Sequence, residues 1–186
     1  MAVKEKNLKN KALFLDRDGV INVDYGHVSK IKKFDLIKDI DTLVIEAISR
    51  DYKFIVITNQ AGIGKGLFSL EDFHILNDHM KGVFKSKKCN IDAVYFCPYH
   101  PKDGIGHYLK DSFDRKPNPG MLLDAEDDFN IDMNKSIFIG DKLSDVNAGI
   151  AALVQTNILF NEHKRAIDLP QNCEEIFTLR EAINYL

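Results

Sequence analysis

Five short apolar runs, at residues 11–16, 53–58, 91–97, 135–140 and 154–160, alternate with longer segments whose apolar residues recur at helical spacing. Runs this short, rich in branched and aromatic side chains, suit strands covered on both faces. A parallel neighbour is reached only by a crossover, so strands separated by helices build a parallel sheet. The expected fold class is therefore α/β, a Rossmann-like doubly wound parallel sheet read as β-α-β-α-β-α-β-α-β. In the first crossover, Ile40, Leu43, Val44, Ala47 and Ile48 form one helical stripe. Ser69 is a candidate N-cap, with Asp72 placed at the positive end of the next helix. Pro117 and Pro119 suit a loop entering a helix that carries Met121, Leu122, Ala125 and Phe129. A helix over 143–152 comes after the fourth run. Residues 161–186 are less periodic and suggest an edge strand near Ile176 and a short C-terminal helix.

Side chains at the carboxyl ends of such strands face one crevice, however far apart they are in sequence. Asp16-Arg17-Asp18-Gly19 comes directly after Ala12-Leu13-Phe14-Leu15, which puts two carboxylates at the end of the first strand. Twenty aspartates in this chain make about two Asp-x-Asp pairs by chance, so position decides and not the pair itself. The second pair, Asp39-Ile40-Asp41, opens a helix and is read as helix N-terminal charge. The second strand ends in Thr58-Asn59-Gln60, Asp114-Arg115-Lys116-Pro117 precedes a helix, and the fourth strand ends in Gly140-Asp141-Lys142-Leu143-Ser144-Asp145. Taken singly, Thr58 can cap a turn, Lys116 can be a solvated residue, and Asp141 and Asp145 can be helix charges. Taken together, they supply one rim with Asp, Thr, Lys and Asp.

That set suits phosphate ester hydrolysis. A phosphomonoester carries about two negative charges, so a carboxylate nucleophile needs cations beside it. Mg²⁺ takes about six oxygen ligands and retains several waters, so two carboxylates and a carbonyl suffice from the protein. The candidates are Asp16, Asp141 and the backbone carbonyl of Asp18. Asp16 would attack phosphorus, and Asp18 would protonate the leaving alkoxide and then activate water. Lys116 and the Thr58 hydroxyl would hold the phosphoryl oxygens. Gly19 permits the tight backbone path after the pair.

Composition narrows the partners. With 186 residues, 45% of them hydrophobic, the chain can bury a substantial core and is expected to form a single domain over 1–186, residues 1–10 being a flexible N-terminal segment. A net charge of -3 argues against general nucleic-acid binding. Residues 1–11 lack the apolar stretch of a secretory signal and no run nears the length of a membrane span, so a cytoplasmic location is expected; a small-molecule substrate and a monomer are expected as well. Cys89, Cys97 and Cys173, odd in number and widely spaced, read as free thiols. The lysines of 81–88 lie beside Phe73, Leu76, Met80, Val83 and Phe84 at helical spacing and read as a solvated helix face.

From residue 11 to about 159 the chain resembles the haloacid dehalogenase superfamily of aspartate-nucleophile phosphatases. Phe14–Asp24, Thr58-Asn59-Gln60-Ala61-Gly62-Ile63-Gly64-Lys65-Gly66, Cys97-Pro98-Tyr99-His100-Pro101, Arg115–Met121 and Ile139–Asp145 resemble the subgroup of heptose-1,7-bisphosphate 7-phosphatases and histidinol-phosphatases. The resemblance implies Asp16 as nucleophile, Asp18 as acid and base, and Thr58 and Lys116 as phosphoryl stabilisers. It implies Mg²⁺ on Asp16, Asp18 and Asp141, and substrate contacts from Asp24, Asn59, Gln60, Arg115 and Lys142. A large cap domain is not expected, since no segment between motifs is long enough.

Two departures stand out. The subgroup commonly carries a structural zinc on a Cys-x-His and a Cys-x-Cys pair, which here read Cys97-Pro98-Tyr99 and Ser112-Phe113-Asp114. Zinc is not expected, although Cys97, His100, His107 and Asp114 are chemically able to form a remodelled site. The loop over 98–114 is then either held by packing and hydrogen bonds or mobile until substrate arrives. The other departure is Lys65, where the heptose enzymes often have Arg; lysine keeps the charge but loses the bidentate fork. The resemblance implies a Mg²⁺-dependent phosphatase that converts heptose 1,7-bisphosphate to heptose 1-phosphate, with histidinol phosphate or another sugar phosphate as alternatives. A receiver-type phospho-aspartate signalling module would use a similar Asp, Thr and Lys set, but Asp18 suits hydrolysis of the phosphoenzyme. An inactive scaffold would not need the intact set.

Overall fold

In the computed structural model, residues 9–186 are described, so the expected flexible segment at 1–10 lies almost wholly outside them. Strands β1 (Lys11–Leu15), β2 (Tyr52–Asn59), β3 (Ala93–Cys97), β4 (Ile137–Gly140), β5 (Thr156–Phe160) and β6 (Cys173–Ile176) form one sheet, in the order β3-β2-β1-β4-β5-β6. Every pairing is parallel. Helices α1 (Ile40–Ser49), α2 (Ala61–Gly64), α3 (Leu70–Ser86), α4 (Gly120–Phe129) and α5 (Leu143–Ala151) supply the crossovers as far as β5, and an irregular segment joins β5 to β6. The doubly wound α/β expectation holds.

Alternation along the strands sorts the core into two layers. Leu13, Leu15, Phe54 and Val56 pack with Leu43 and Val44 of α1 and Met80 and Phe84 of α3. Ala12, Phe14, Ile55 and Ile57 face the other way, against Met121, Leu122 and Ala125 of α4 and Ala148 of α5. Helix α3 begins as its sequence predicts: Ser69 Oγ accepts the Asp72 N–H, and the Asp72 carboxylate accepts the Ser69 N–H. Lys81, Lys85, Lys87 and Lys88 are exposed, as a solvated face requires.

Three strands start later than the apolar runs. Before β3, the Asp92 carboxylate accepts the Phe54 N–H at 2.8 Å and takes a place that a strand backbone would fill. Before β4, Met133–Lys135 form a 3-10 turn, with the Asp132 side chain accepting the Asn134 N–H. Before β5, Val154 closes α5 by donating to the Gly149 carbonyl after a left-handed Leu153. The edge strand near Ile176 exists as β6, and the C-terminal helix is a 3-10 segment, Glu181–Tyr185. Cys89 and Cys97 are buried and Cys173 is partly exposed, all as free thiols. Among the described residues, no helix is long and apolar enough to cross a membrane.

Candidate active site

Strands β1 and β4 are neighbours, but the chain leaves them in opposite directions, which opens a crevice at their carboxyl ends. Leu15 lies opposite Val56 on one side and Ile139 on the other, so Asp16, Thr58 and Asp141 emerge at one rim. Asp16 is buried; its Oδ1 accepts the Arg17 N–H at 2.7 Å and the Lys116 ammonium at 3.0 Å. Among the described residues no donor faces its Oδ2. Lys116 is also buried, and its ammonium reaches Asp145 Oδ1 at 2.7 Å and the Ile57 carbonyl at 2.8 Å. The loop carrying Lys116 is tied to the end of β2 by Asn59. That side chain donates to the Lys116 carbonyl at 3.0 Å and accepts its N–H at 3.1 Å. Asn59, expected as a substrate contact, thus also holds a loop.

Carboxylate oxygens of Asp16, Asp141 and Asp145 lie within 4.8 Å of one another. Burial, opposed by Lys116 but reinforced by Asp145 and Asp141, pushes the Asp16 carboxyl up to about 7. Burial likewise raises Asp141 to about 6. Lys116 is held above the usual lysine range, because its two carboxylate partners outweigh its own burial. Two ammoniums, Lys116 and the Lys142 that Asp141 shares with Asp24, do not balance the four carboxylates of Asp16, Asp24, Asp141 and Asp145, and Asp141 Oδ1 is buried with no hydrogen-bond partner. A divalent cation fits both facts. Gly19 secures the approach: it has φ +97°, and a Cβ there would sit 2.4 Å from Asp141 Cγ. The Asp18 side chain is outside this cluster, and Asp145, not among the residues expected at the site, stands in it. No described residue donates to the Asp18 carbonyl, which leaves that oxygen for the expected ligand role.

Asp18 is held by four donors. Arg17 reaches it with Nη2 at 2.7 Å and Nε at 3.3 Å, Asn22 Nδ2 lies 2.9 Å away, and Gln60 Nε2 lies 2.9 Å away. Arg17 is fully buried and donates to the Val28 carbonyl as well. Sequence reasoning passed over Arg17, since a residue between two aspartates gives no signal of burial. Thr58 Oγ1 accepts from the same Gln60 nitrogen at 2.9 Å.

Asp16, Asp18, Thr58, Gln60, Lys116 and Asp145 line a cavity of about 380 Å³, with Asp24, His27, Lys65, His100, Arg115, Lys142 and Ser144 around its mouth. Lys142 pairs with Asp24 at 3.1 Å and lies 3.5 Å from Asp141. Lys142 is exposed, and although partial desolvation opposes it, the neighbouring acids Asp141, Asp16 and Asp24 raise it. Burial acts against it, but the Gly26 N–H and Lys142 lower Asp24. Both Asp24 and Lys142 also border a second cleft, of about 260 Å³, which Asp141, His163 and Arg165 line. Arg115 donates to the Tyr99 carbonyl at 3.2 Å, and Lys65 pairs with Asp103 at 2.8 Å.

The loop over 98–114 is held by packing and hydrogen bonds. Ile105 N–H donates to the Gly64 carbonyl, His100 N–H donates to the Tyr108 carbonyl, and the Tyr99 and Tyr108 rings meet at 6.0 Å. His100 Nδ1 accepts from the backbone of Lys102 and Asp103, the Asp114 carboxylate bonds Ser112, and His107 stacks on Tyr108. His100, His107 and Asp114 thus each have partners within the loop, and among the described residues the acids that converge are those of the Asp16 cluster.

Residues 14–168 match the family described as polynucleotide kinase 3 phosphatase. A D-glycero-alpha-D-manno-heptose-1,7-bisphosphate 7-phosphatase of Burkholderia mallei is 53% identical over 152 residues, covering 82% of this chain and 80% of that protein. A D-glycero-beta-D-manno-heptose-1,7-bisphosphate 7-phosphatase of Haemophilus influenzae is 41% identical over 155 residues, 83% of this chain and 84% of that one. The crystal structure of D,D-heptose 1,7-bisphosphate phosphatase from B. bronchiseptica, complexed with magnesium and phosphate, superposes with a TM-score of 0.81 at 25% identity. It covers 94% of this chain and 96% of that one. The rim of acids around a buried lysine and the sheet order that assembles it have the same origin: this chain belongs to the polynucleotide kinase 3 phosphatase family of haloacid dehalogenase-type phosphatases.

Proposed function

We propose that the protein is a phosphoric monoester hydrolase that removes the 7-phosphate of D-glycero-D-manno-heptose 1,7-bisphosphate and leaves heptose 1-phosphate. The observation that carries this reading is the convergence of Asp16, Asp141 and Asp145, with the Lys116 ammonium paired to Asp16 and Asp145 in the buried part of one cavity. The substrate is inferred from the relatives, of which the more similar of the two is named for the alpha anomer.

Asp16 Oδ2, the oxygen without a donor, attacks phosphorus as the ester bond to the sugar oxygen breaks. Asp18 gives that oxygen its proton. Water then attacks the aspartyl-phosphate, Asp18 takes a proton from it, and inorganic phosphate leaves with the Asp16 carboxylate restored. Lys116 and the Thr58 hydroxyl steady the phosphoryl oxygens. Asp16, Asp141 and the Asp18 carbonyl would hold Mg²⁺, with Asp145 beside them. The ion supplies positive charge that offsets repulsion between the carboxylate and the phosphate. Arg115, Lys142 and Asp24 border the cavity where the sugar and its second phosphate would lie. We place the protein in the cytoplasm as a monomeric single-domain enzyme without bound zinc, nucleic acid or membrane, in keeping with its free thiols and its charge of -3.

The test is phosphate release from both anomers of the heptose bisphosphate, histidinol phosphate and other sugar phosphates, with Mg²⁺ and with chelator. Turnover of the heptose bisphosphate that needs Mg²⁺ and is lost in Asp16→Asn supports the reading. Stable phosphorylation of Asp16 without turnover would replace it with a receiver-type switch.

A further inference from the structure

We infer that Gln60 is a positioning residue, whose amide nitrogen sets the direction of the Thr58 hydroxyl proton and holds the Asp18 carboxylate at the phosphoryl site. The inference rests on the phosphatase reading above. It also gives Gln60 a different task from the sugar or distal-phosphate contact that the family resemblance implies.

Gln60 is 2% exposed, and its Nε2 lies 2.9 Å from Thr58 Oγ1 and 2.9 Å from Asp18 Oδ2. An amide nitrogen has two hydrogens and accepts none. Both contacts therefore run outward from Gln60, one hydrogen to each oxygen. The carboxylate settles which way round the amide sits. Asp18 already accepts from Arg17 and Asn22, and an amide oxygen in place of Nε2 would bring oxygen against oxygen.

The consequence falls on Thr58. With one lone pair of Oγ1 taken by Gln60, the hydroxyl hydrogen points elsewhere, and no described residue accepts it. Thr58 is 1% exposed and lines the cavity, so the direction left for that hydrogen is the space a phosphoryl oxygen would occupy. Without Gln60 the hydroxyl rotor is no longer fixed and is free to present a lone pair to the phosphate. That would replace attraction by repulsion at the reacting centre.

Gln60 also differs from the other donors on Asp18. Arg17 and Asn22 belong to the same chain segment as Asp18, whereas Gln60 arrives from the end of β2 and lines the cavity. One side chain therefore fixes a group on the phosphoryl oxygens relative to the group that handles the leaving proton. Alignment of this kind is felt in turnover more than in binding.

The experiment compares wild type, Gln60→Met, which keeps much of the volume without the donors, and Gln60→Glu, which keeps the shape but replaces the donor with an acceptor. Thr58→Val and the Thr58→Val/Gln60→Met double variant complete the set. Initial rates of phosphate release from heptose 1,7-bisphosphate give kcat and KM, and thermal melting reports folding. The expected result for Gln60→Met is a kcat lower by about 30-fold or more with KM within about twofold. Gln60→Glu is expected to lose more, and the double variant less than the product of the two single losses. A tenfold rise in KM with kcat kept would make Gln60 a substrate contact, and strictly multiplicative losses would separate it from Thr58; either overturns the inference. Should Gln60→Met fail to fold, the near-isosteric Gln60→Glu carries the same kcat and KM distinction. Wild-type turnover and its loss in Asp16→Asn test the phosphatase reading separately.

Discussion

Lys116 Nζ lies 3.0 Å from Asp16 Oδ1, and both side chains are almost wholly buried. The same ammonium holds Asp145, so it is the internal counter-ion of the site. Lys116→Met leaves the carboxylates facing one another, and losing one partner of a buried pair costs about 3–5 kcal/mol. We expect a kcat reduced by about 10³-fold or more, with a lowered melting temperature in chelator. Mg²⁺ should raise the melting temperature more in this variant than in wild type, since the ion replaces missing charge. Equal shifts would place the ion away from Asp16.

Raised carboxyls give the metal-free protein a characteristic pH dependence. The folded Asp16 titrates near 7 and Asp141 near 6, against 3.8 for each as an ordinary carboxyl. Below the ordinary value both states are protonated, and the folded protein carries no penalty. As pH rises toward and through 7 the unfolded chain has already released these protons, while the folded one must give them up into a buried site. Stability in chelator should therefore fall across pH 4–7. Saturating Mg²⁺ should flatten the profile, so its melting shift grows from pH 5 to pH 8. Differential scanning fluorimetry reads both curves, and a Mg²⁺ shift that shrinks with pH would contradict this account.

The sequence disclosed the sheet and most of the rim for one reason. Each strand is a compact apolar run, and a parallel topology brings the polar residues at the end of every run to the same edge. Asp16, Thr58 and Asp141 were legible in that way. Asp145 was not, because it lies in the first turn of α5 and returns to the site only through the bend at Asp141–Lys142, which packs it against Gly140. A Cβ on Gly140 would meet the Asp145 Cβ at 2.1 Å. Arg17 was hidden because its partners are its neighbour Asp18 and the Val28 carbonyl, in an irregular segment with no periodicity to read. The loop over 98–114 has no repeating pattern either, and its order depends on contacts with Gly64 and Tyr108 that no spacing announces.

Gly19 offers a test of how closely the β1 turn must pass the Asp141 carboxylate. It combines φ +97° with a Cβ position 2.4 Å from both Asp141 Cγ and Oδ2. Gly19→Ala strains the backbone and pushes Asp141 out of the cluster at once. The variant should lose activity and most of the melting shift that Mg²⁺ gives, while far-UV circular dichroism keeps the α/β signature. Retention of the Mg²⁺ shift would mean that Asp141 is dispensable for the ion.

Lys65 and Asp103 provide a test at the cavity mouth. Their side chains pair at 2.8 Å, and Asp103 also lies 3.5 Å from His100 Nδ1. Lys65 lines the cavity, so in the resting protein an acid of the 98–114 loop occupies the cation that a second phosphate on the substrate would seek. An exposed pair of this kind is worth little to stability, about 0–1 kcal/mol, so Asp103→Asn should melt within a few degrees of wild type. Its effect should appear in recognition: with Lys65 released, KM for the heptose bisphosphate should fall about twofold to fivefold with kcat unchanged. KM for a monophosphate such as histidinol phosphate should stay where it is, because no second anion reaches the mouth. An equal change for both substrates would move the second phosphate away from Lys65 and toward Arg115 or Lys142.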